Sequence, residues 1–288
     1  MTERSEAPAV ASASGETTIA EGWTKYPPEP ASGGHTVVGD LWVCEGFYSP
    51  QLDNRRDVIV YLPPSYGTGT RRYPVIYMHD GQNLFDEVTS FAEEWRVDNT
   101  MDALSVVGLE ALVVGIFNTG ENRLAEYSPF EDAEGRGGRG DDYLDFIVDT
   151  LKPRIDADFR TRPEREHTTI TGSSMGGLIS LYAFFRRPDV FGNVGVMSPS
   201  LWFADRAIFP FVQAAPVIPG KVYLDVGTDE GKRTVADARR LREMLLWKGY
   251  RRHRDLVYVE QPGAGHSEVA WRQRLHFAID FLLREREA

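Results

Sequence analysis

The stretch T-T-I-T-G-S-S-M-G-G, residues 168–177, decides the fold. Residues 168–171 are β-branched and short, so they predict the end of a buried strand. Gly172-Ser173-Ser174-Met175-Gly176 fits G-x-S-x-G. From Met175 to Arg187 the apolar residues Leu178, Leu181, Tyr182 and Phe185 recur at helical spacing. Arg186 and Arg187 suit a helix C-terminus, and Pro188 stops the helix. Strand, sharp turn and helix together predict a nucleophile elbow centred on Ser174. The reason is steric. A serine lifted off a strand end needs a strained backbone, and its neighbours must be small. Gly172 and Gly176 let strand and helix approach closely, with Ser173 read as structural. The amide of Met175 then faces the place where an oxyanion would form, at a helix N-terminus with partial positive charge.

Working outward, strands are predicted over 36–45, 56–62, 74–78, 111–117, 193–197, 221–226 and 255–260. Helices are predicted over 93–106, from Asp141 or Asp142 to about Ile155, over 234–248 and over 267–287. The late strands are apolar throughout and alternate with helices, while the first strands follow one another directly. That pattern predicts a mostly parallel, doubly wound α/β sheet with an antiparallel N-terminal edge. Residues 1–34, rich in Ala, Ser, Glu, Pro and Gly, predict a mobile arm, with Trp23 and Tyr26 able to pin its second half. Residues 35–288 form the expected catalytic domain. The Gly-Arg run at 135–140 is short and reads as a solvated loop.

At 288 residues and 42% hydrophobic, the chain can bury one large core. Its formal net charge of -11 argues against nucleic acid or an anionic membrane as partner. Its one cysteine, Cys44, excludes an intrachain disulfide and reads as a small core residue. No apolar run is long enough to span a bilayer, and residues 1–18 lack the apolar segment of a secretory signal. A cytoplasmic location is therefore expected.

A serine needs a base, usually a histidine oriented by a carboxylate, in the chain order Ser, acid, His after an elbow of this kind. Only His253, His266 and His276 follow Ser174. His253 lies in a charged run and His276 mid-helix, whereas His266 follows a strand in a Gly-rich turn, so His266 is the expected base. The second oxyanion donor should come from the loop after an earlier strand. His79-Asp80-Gly81-Gln82-Asn83 fits, with the Gln82 amide as donor. His79 and Asp80 read as a turn-stabilising network. Asp225, Asp229 and Glu230 all stand in position for the acid. Asp225 is fixed within its strand, and Glu230 has the longer reach.

Taken together, Y-M-H-D-G-Q-N-L-F-D (77–86), G-S-S-M-G-G (172–177), G-T-D-E (227–230) and G-H-S-E-x-x-W (265–271) resemble the enterochelin esterase-like esterases. These belong to the esterase D group of the α/β-hydrolases. N-x-x-x-x-R-x-x-E-Y-S-P (118–129) and S-P-S-L-W (198–202) resemble further family segments. The resemblance covers roughly residue 37 to the C-terminus. It implies an α/β-hydrolase fold and selects Glu230, three residues after Gly227, over Asp229. It also implies a serine carboxylic-ester hydrolase that needs no metal or organic cofactor. Its substrate would be a small-molecule or glycan-linked ester, since relatives cleave siderophore, feruloyl, acetyl and S-formylglutathione esters. An acyltransferase or a catalytically silent binding protein on the same scaffold are the alternatives. The short interval between Ser198 and the 221–226 strand leaves no room for a large lid. Trp95, Tyr127, Trp202 and Phe203 are the aromatics expected to line an open site.

Overall fold

A computed structural model describes residues 19–28 and 34–285. The strands are β1 (Thr24–Tyr26), β2 (Asp40–Ser49), β3 (Asn54–Leu62), β4 (Val75–His79), β5 (Leu112–Ile116), β6 (Thr168–Ser173), β7 (Asn193–Met197), β8 (Lys221–Gly227) and β9 (Leu256–Gln261). They form one sheet in the order β1-β2-β3-β5-β4-β6-β7-β8-β9. The pairings from β1 through β2 and β3 to β5 are antiparallel. Those from β5 through β4, β6, β7 and β8 to β9 are parallel. The fold is therefore the expected α/β-hydrolase type, mostly parallel with an antiparallel N-terminal edge.

The helices are α1 (Val97–Ser105), α2 (Arg123–Glu126), α3 (Gly140–Asp145), α4 (Lys152–Asp158), α5 (Met175–Arg186), α6 (Phe203–Arg206), α7 (Ile208–Ala214), α8 (Lys232–Lys248) and α9 (Glu268–Leu283). A π-helical stretch, Phe146–Leu151, joins α3 to α4. Successive strand residues point to opposite faces, so the core has two layers. Val58, Val60, Val75 and Tyr77 pack with Leu144, Ile155, Leu178 and Leu241 from α3, α4, α5 and α8. Ile59, Tyr61, Ile76 and Met78 pack with Val97, Met101 and Leu275 from α1 and α9.

Several boundaries differ from expectation for local reasons. β2 starts at Asp40, not 36, because residues 36–38 satisfy their backbone on carboxylates. Thr36 N–H donates to Asp86 Oδ1 at 3.3 Å and Val38 N–H to Asp98 Oδ2 at 2.6 Å. α1 starts at Val97 because Arg96 takes a left-handed backbone, φ 53°. The interval 198–220 holds α6 and α7, two short helices seated by Phe203, Ile208, Phe209 and Val212. Residues 21–28 of the expected arm dock onto the body in part. Trp23 is buried, stacks edge-on against Phe159, and donates its Nε1–H to Asp158 Oδ2 at 2.7 Å. β1 then pairs with β2. The rest of that arm, 1–18 and 29–33, and the last residues of the expected C-terminal helix, 286–287, lie outside the described residues. Among the described residues no helix is long and apolar enough to cross a membrane.

Candidate active site

Ser174 stands between β6 and α5 with φ 57° and ψ -120°, a conformation side chains rarely adopt. Packing holds it there. A Cβ added to Gly172 would lie 2.9 Å from His79 Cδ2 and 3.0 Å from the Gly176 carbonyl carbon. One added to Gly176 would lie 3.2 Å from His79 Cβ. Only glycines admit strand and helix at this separation. Ser174 N–H donates to the Met197 carbonyl at 3.0 Å, which pins the turn to the end of β7. Its hydroxyl lies 3.2 Å from Ser200 Oγ, its hydrogen-bond partner here in place of His266.

His266, in the loop between β9 and α9, lies 2.8 Å from Glu230 Oε2 through its Nδ1. Its ring meets Trp271 edge-on at 4.9 Å between centroids. Glu230 ends the 3-10 turn Thr228–Glu230 after β8. Its other oxygen accepts the Ser198 hydroxyl and the Gly227 N–H, each at 2.6 Å. Burial alone would push the Glu230 carboxyl up. The bonds from His266, Ser198 and Gly227 outweigh burial and hold it below the usual glutamate value. Asp229 makes only a 3.4 Å contact with Thr228 Oγ1 through its side chain. Asp225 meets the Ser198 N–H at 3.0 Å and Arg274 Nε at 3.0 Å, not His266.

Ser174 and His266 line one cavity of about 560 Å3. Asp80, Gln82, Asn83, Asn118 and Arg123 also line it, as does Glu268 beside the histidine loop. The first bond of α5 runs from Leu178 N–H to the Ser174 carbonyl at 3.1 Å. The N–H groups of residues 175–177 therefore precede the helical ladder. In the turn Gly81–Asn83 the bonds are Asn83 N–H to the Asp80 carbonyl and Leu84 N–H to the Gly81 carbonyl, so the Gln82 N–H stays outside the turn's own pairing. The Gln82 carbonyl, in the peptide after this N–H, accepts the Thr89 hydroxyl at 2.6 Å.

Beneath the elbow lies His79, 2% exposed, with Nδ1 2.9 Å from Tyr143 Oη. Burial lowers its pKa to about 3, so it is neutral. Asp80, in a left-handed conformation with φ 58°, receives Arg123 in a fork, 2.7 Å to Oδ1 and 2.8 Å to Oδ2. Asn118 adds a third bond at 2.8 Å. Burial opposes the Asp80 charge, but Arg123 and Asn118 prevail and hold the carboxyl below its usual range. His79 and Asp80 thus form the expected turn network, and Asp80 and Arg123 also present it to the cavity.

Of the four expected lining aromatics, the structure places only Trp95 in the cavity wall, 5.5 Å from Trp271 between ring centroids. Tyr127 is fully buried, and its hydroxyl oxygen accepts the Asp80 N–H at 3.1 Å. Phe203 is 2% exposed and belongs to the core beneath α6. Trp202 is 54% exposed and lies outside the cavity. The walls hold Phe91 and Trp271 instead. Trp271 ends the G-H-S-E-x-x-W stretch, a position that by itself does not tell a wall from a core residue. Phe91 gave no signal, being one aromatic in a polar loop. A larger cavity of about 800 Å3, between β9 and α9, contains neither Ser174 nor His266. Among the described residues no cluster of His, Cys, Asp and Glu could hold a metal ion.

Comparisons with known proteins agree with this architecture. Residues 49–282 match the profile of the family described as "Putative esterase". Among curated proteins, the uncharacterized protein YbbA of Bacillus subtilis is 26% identical over 251 residues, 83% of this chain and 96% of YbbA. The iron(III) enterobactin esterase of Dickeya dadantii is 28% identical over 256 residues, 82% of this chain and 53% of that enzyme. This chain thus spans about half the length of the Dickeya protein. Among solved structures, the BES protein of Bacillus cereus superposes with a TM-score of 0.67 at 20% identity, over 97% of this chain and 100% of that one. A ferulic acid esterase gives a TM-score of 0.67 at 22% identity, over 85% of this chain and 98% of that one.

Proposed function

The chain belongs to this esterase family, and from that premise we propose that it is a serine carboxylic-ester hydrolase working through Ser174, His266 and Glu230. Ser174 Oγ attacks the ester carbonyl carbon while His266 Nε2 takes the hydroxyl proton. The amides of Met175 and Gln82 receive the developing oxyanion. The tetrahedral intermediate collapses, the C–O bond to the alcohol breaks, and His266 returns the proton to the departing oxygen. Water then repeats the attack on the acyl-enzyme with His266 as base and frees Ser174. Glu230 orients the imidazole and stabilises its cation without itself taking the proton. No cofactor enters these steps.

The observation that carries this reading is the 2.8 Å contact between His266 Nδ1 and Glu230, on the rim of the cavity that exposes the strained Ser174. Two of the named proteins are an iron(III) enterobactin esterase and a ferulic acid esterase. Phe91, 92% exposed, and the edges of Trp95 and Trp271 in the walls favour an ester with an aromatic ring. The test is turnover of a catecholate ester, a feruloyl ester and an aliphatic acetyl ester by the wild type and by Ser174→Ala. The account expects preference for the aromatic esters and a loss on the order of a millionfold in the variant. Near wild-type turnover by Ser174→Ala would overturn it.

A further inference from the structure

Behind the acid, on the side away from the cavity, lies a buried cation. Arg274 projects from α9, one turn beyond Trp271, and its side chain is 1% exposed. Its Nε lies 3.0 Å from Asp225 Oδ2, and its Nη2 donates to Ser198 Oγ at 2.8 Å. Nη1 donates to Gln261 Oε1 at 3.3 Å, and Nη2 is 3.8 Å from Glu230 Oε1. Ser198 links the two carboxylates, with its N–H on Asp225 and its hydroxyl on Glu230. It does so with φ 39°, a left-handed backbone. The side chains of Asp225 and Glu230 are 0% and 1% exposed.

Two carboxylates tied to one serine and shut from water cannot both stay ionised unaided. Either one takes a proton, or a cation shares the charge. A protonated Glu230 would leave the imidazolium of His266 without a counter-charge. Arginine keeps its proton at any relevant pH and offers a fixed fork to several acceptors. We propose that Arg274 is a positioning residue of the ester hydrolysis: its guanidinium offsets the charge of Asp225 and, through Ser198, holds Glu230 ionised and aimed at His266. Arg274 is not among the residues lining the cavity, so it acts through Glu230 and not on the substrate. This inference rests on the Ser-His-Glu reading.

The test compares Arg274→Met, Arg274→Lys, and Arg274→Met with Asp225→Asn, each normalised to active sites titrated with a fluorophosphonate. Arg274→Met should lower kcat on the order of tenfold to hundredfold, short of the roughly 10^4-fold that follows loss of the carboxylate's role in a triad. KM should stay within about twofold. The ionisation that limits kcat at low pH should move to lower pH, because the imidazolium loses its anionic partner. Arg274→Lys, which keeps the charge, and the added Asp225→Asn, which removes the excess negative charge, should each recover part of kcat. If Arg274→Met does not fold, Ser198→Ala cuts the link without stranding a carboxylate and should show the same lowered kcat and displaced ionisation. Wild-type kcat and an unmoved ionisation in whichever variant folds would overturn the inference, as would equal losses in the Met and Lys variants. Glu230→Gln is measured alongside. Wild-type kcat there would sink the triad reading itself, whereas a crippled Glu230→Gln beside an unaffected Arg274 variant would sink only this inference.

Discussion

Glu230 is held by three partners, the Gly227 N–H, the Ser198 hydroxyl and His266 Nδ1, while the neighbouring Asp229 carboxylate meets only Thr228. At the scale of the residue, that difference predicts unequal mutants. Glu230→Gln should lower kcat by roughly three to four orders of magnitude, as carboxylate-to-amide changes do in a triad. Asp229→Asn should stay within about threefold of wild type, and steady-state kinetics at matched folding checks both. The proposed Ser174, His266 and Glu230 were legible as candidates because each stands in a short motif, and Gln82 and Met175 were legible by position alone, since a backbone amide does not depend on residue type. Ser198, Arg274 and the Asp80–Arg123 pair could not be given roles that way. Their partners lie 13 to 76 residues away in sequence, and only the fold makes them neighbours. The same limit explains Tyr127 and Phe203: an aromatic beside a motif looks alike whether it faces a cavity or a core.

At the scale of the element, the elbow depends on how closely α5 meets β6. Gly172→Ala would force a methyl to 2.9 Å from His79 and 3.0 Å from Gly176. Overpacking of this kind costs about 1–3 kcal/mol, and here it also displaces Ser174. A lower thermal midpoint and lost esterase activity are expected together; full activity would show that the glycine is dispensable. The first turn of α1 carries a different signal. Asp98 is fully buried, and desolvation raises its pKa to about 7 despite bonds from the Val38 and Asn99 N–H groups. A carboxyl whose folded pKa lies above its unfolded value binds more protons in the native state. Its contribution is therefore largest below the unfolded pKa, and it falls as pH rises through about 7. Denaturant midpoints should drop between pH 5 and pH 7, and Asp98→Asn should flatten that part of the curve. The long elements were legible because their periods of 2 and 3.6 persist over whole turns and strands. β1, α6 and α7 were not. They are three to seven residues long, and burial against partners distant in sequence, rather than pattern, makes them form.

At the scale of the whole molecule, the sheet grows outward from β4 and β6, and the N-terminal segment closes its antiparallel edge. Trp23 is the anchor, seated on Phe159 and bonded to Asp158. Trp23→Ala should cost about 3 kcal/mol, in the range for deleting a buried aromatic. Activity per active site should be unchanged, because neither Trp23 nor its partners Phe159 and Asp158 line the cavity. Urea unfolding with parallel active-site titration checks both halves of the statement. The central claim, however, is that this scaffold presents Ser174 as an activated nucleophile. The most direct measurement is the mass of the intact protein after reaction with a fluorophosphonate, followed by peptide mapping of the adduct. The account predicts one phosphonyl group per chain, carried on Ser174 and absent from Ser174→Ala. A protein that gains no mass, or an adduct that maps to Ser173, would contradict it.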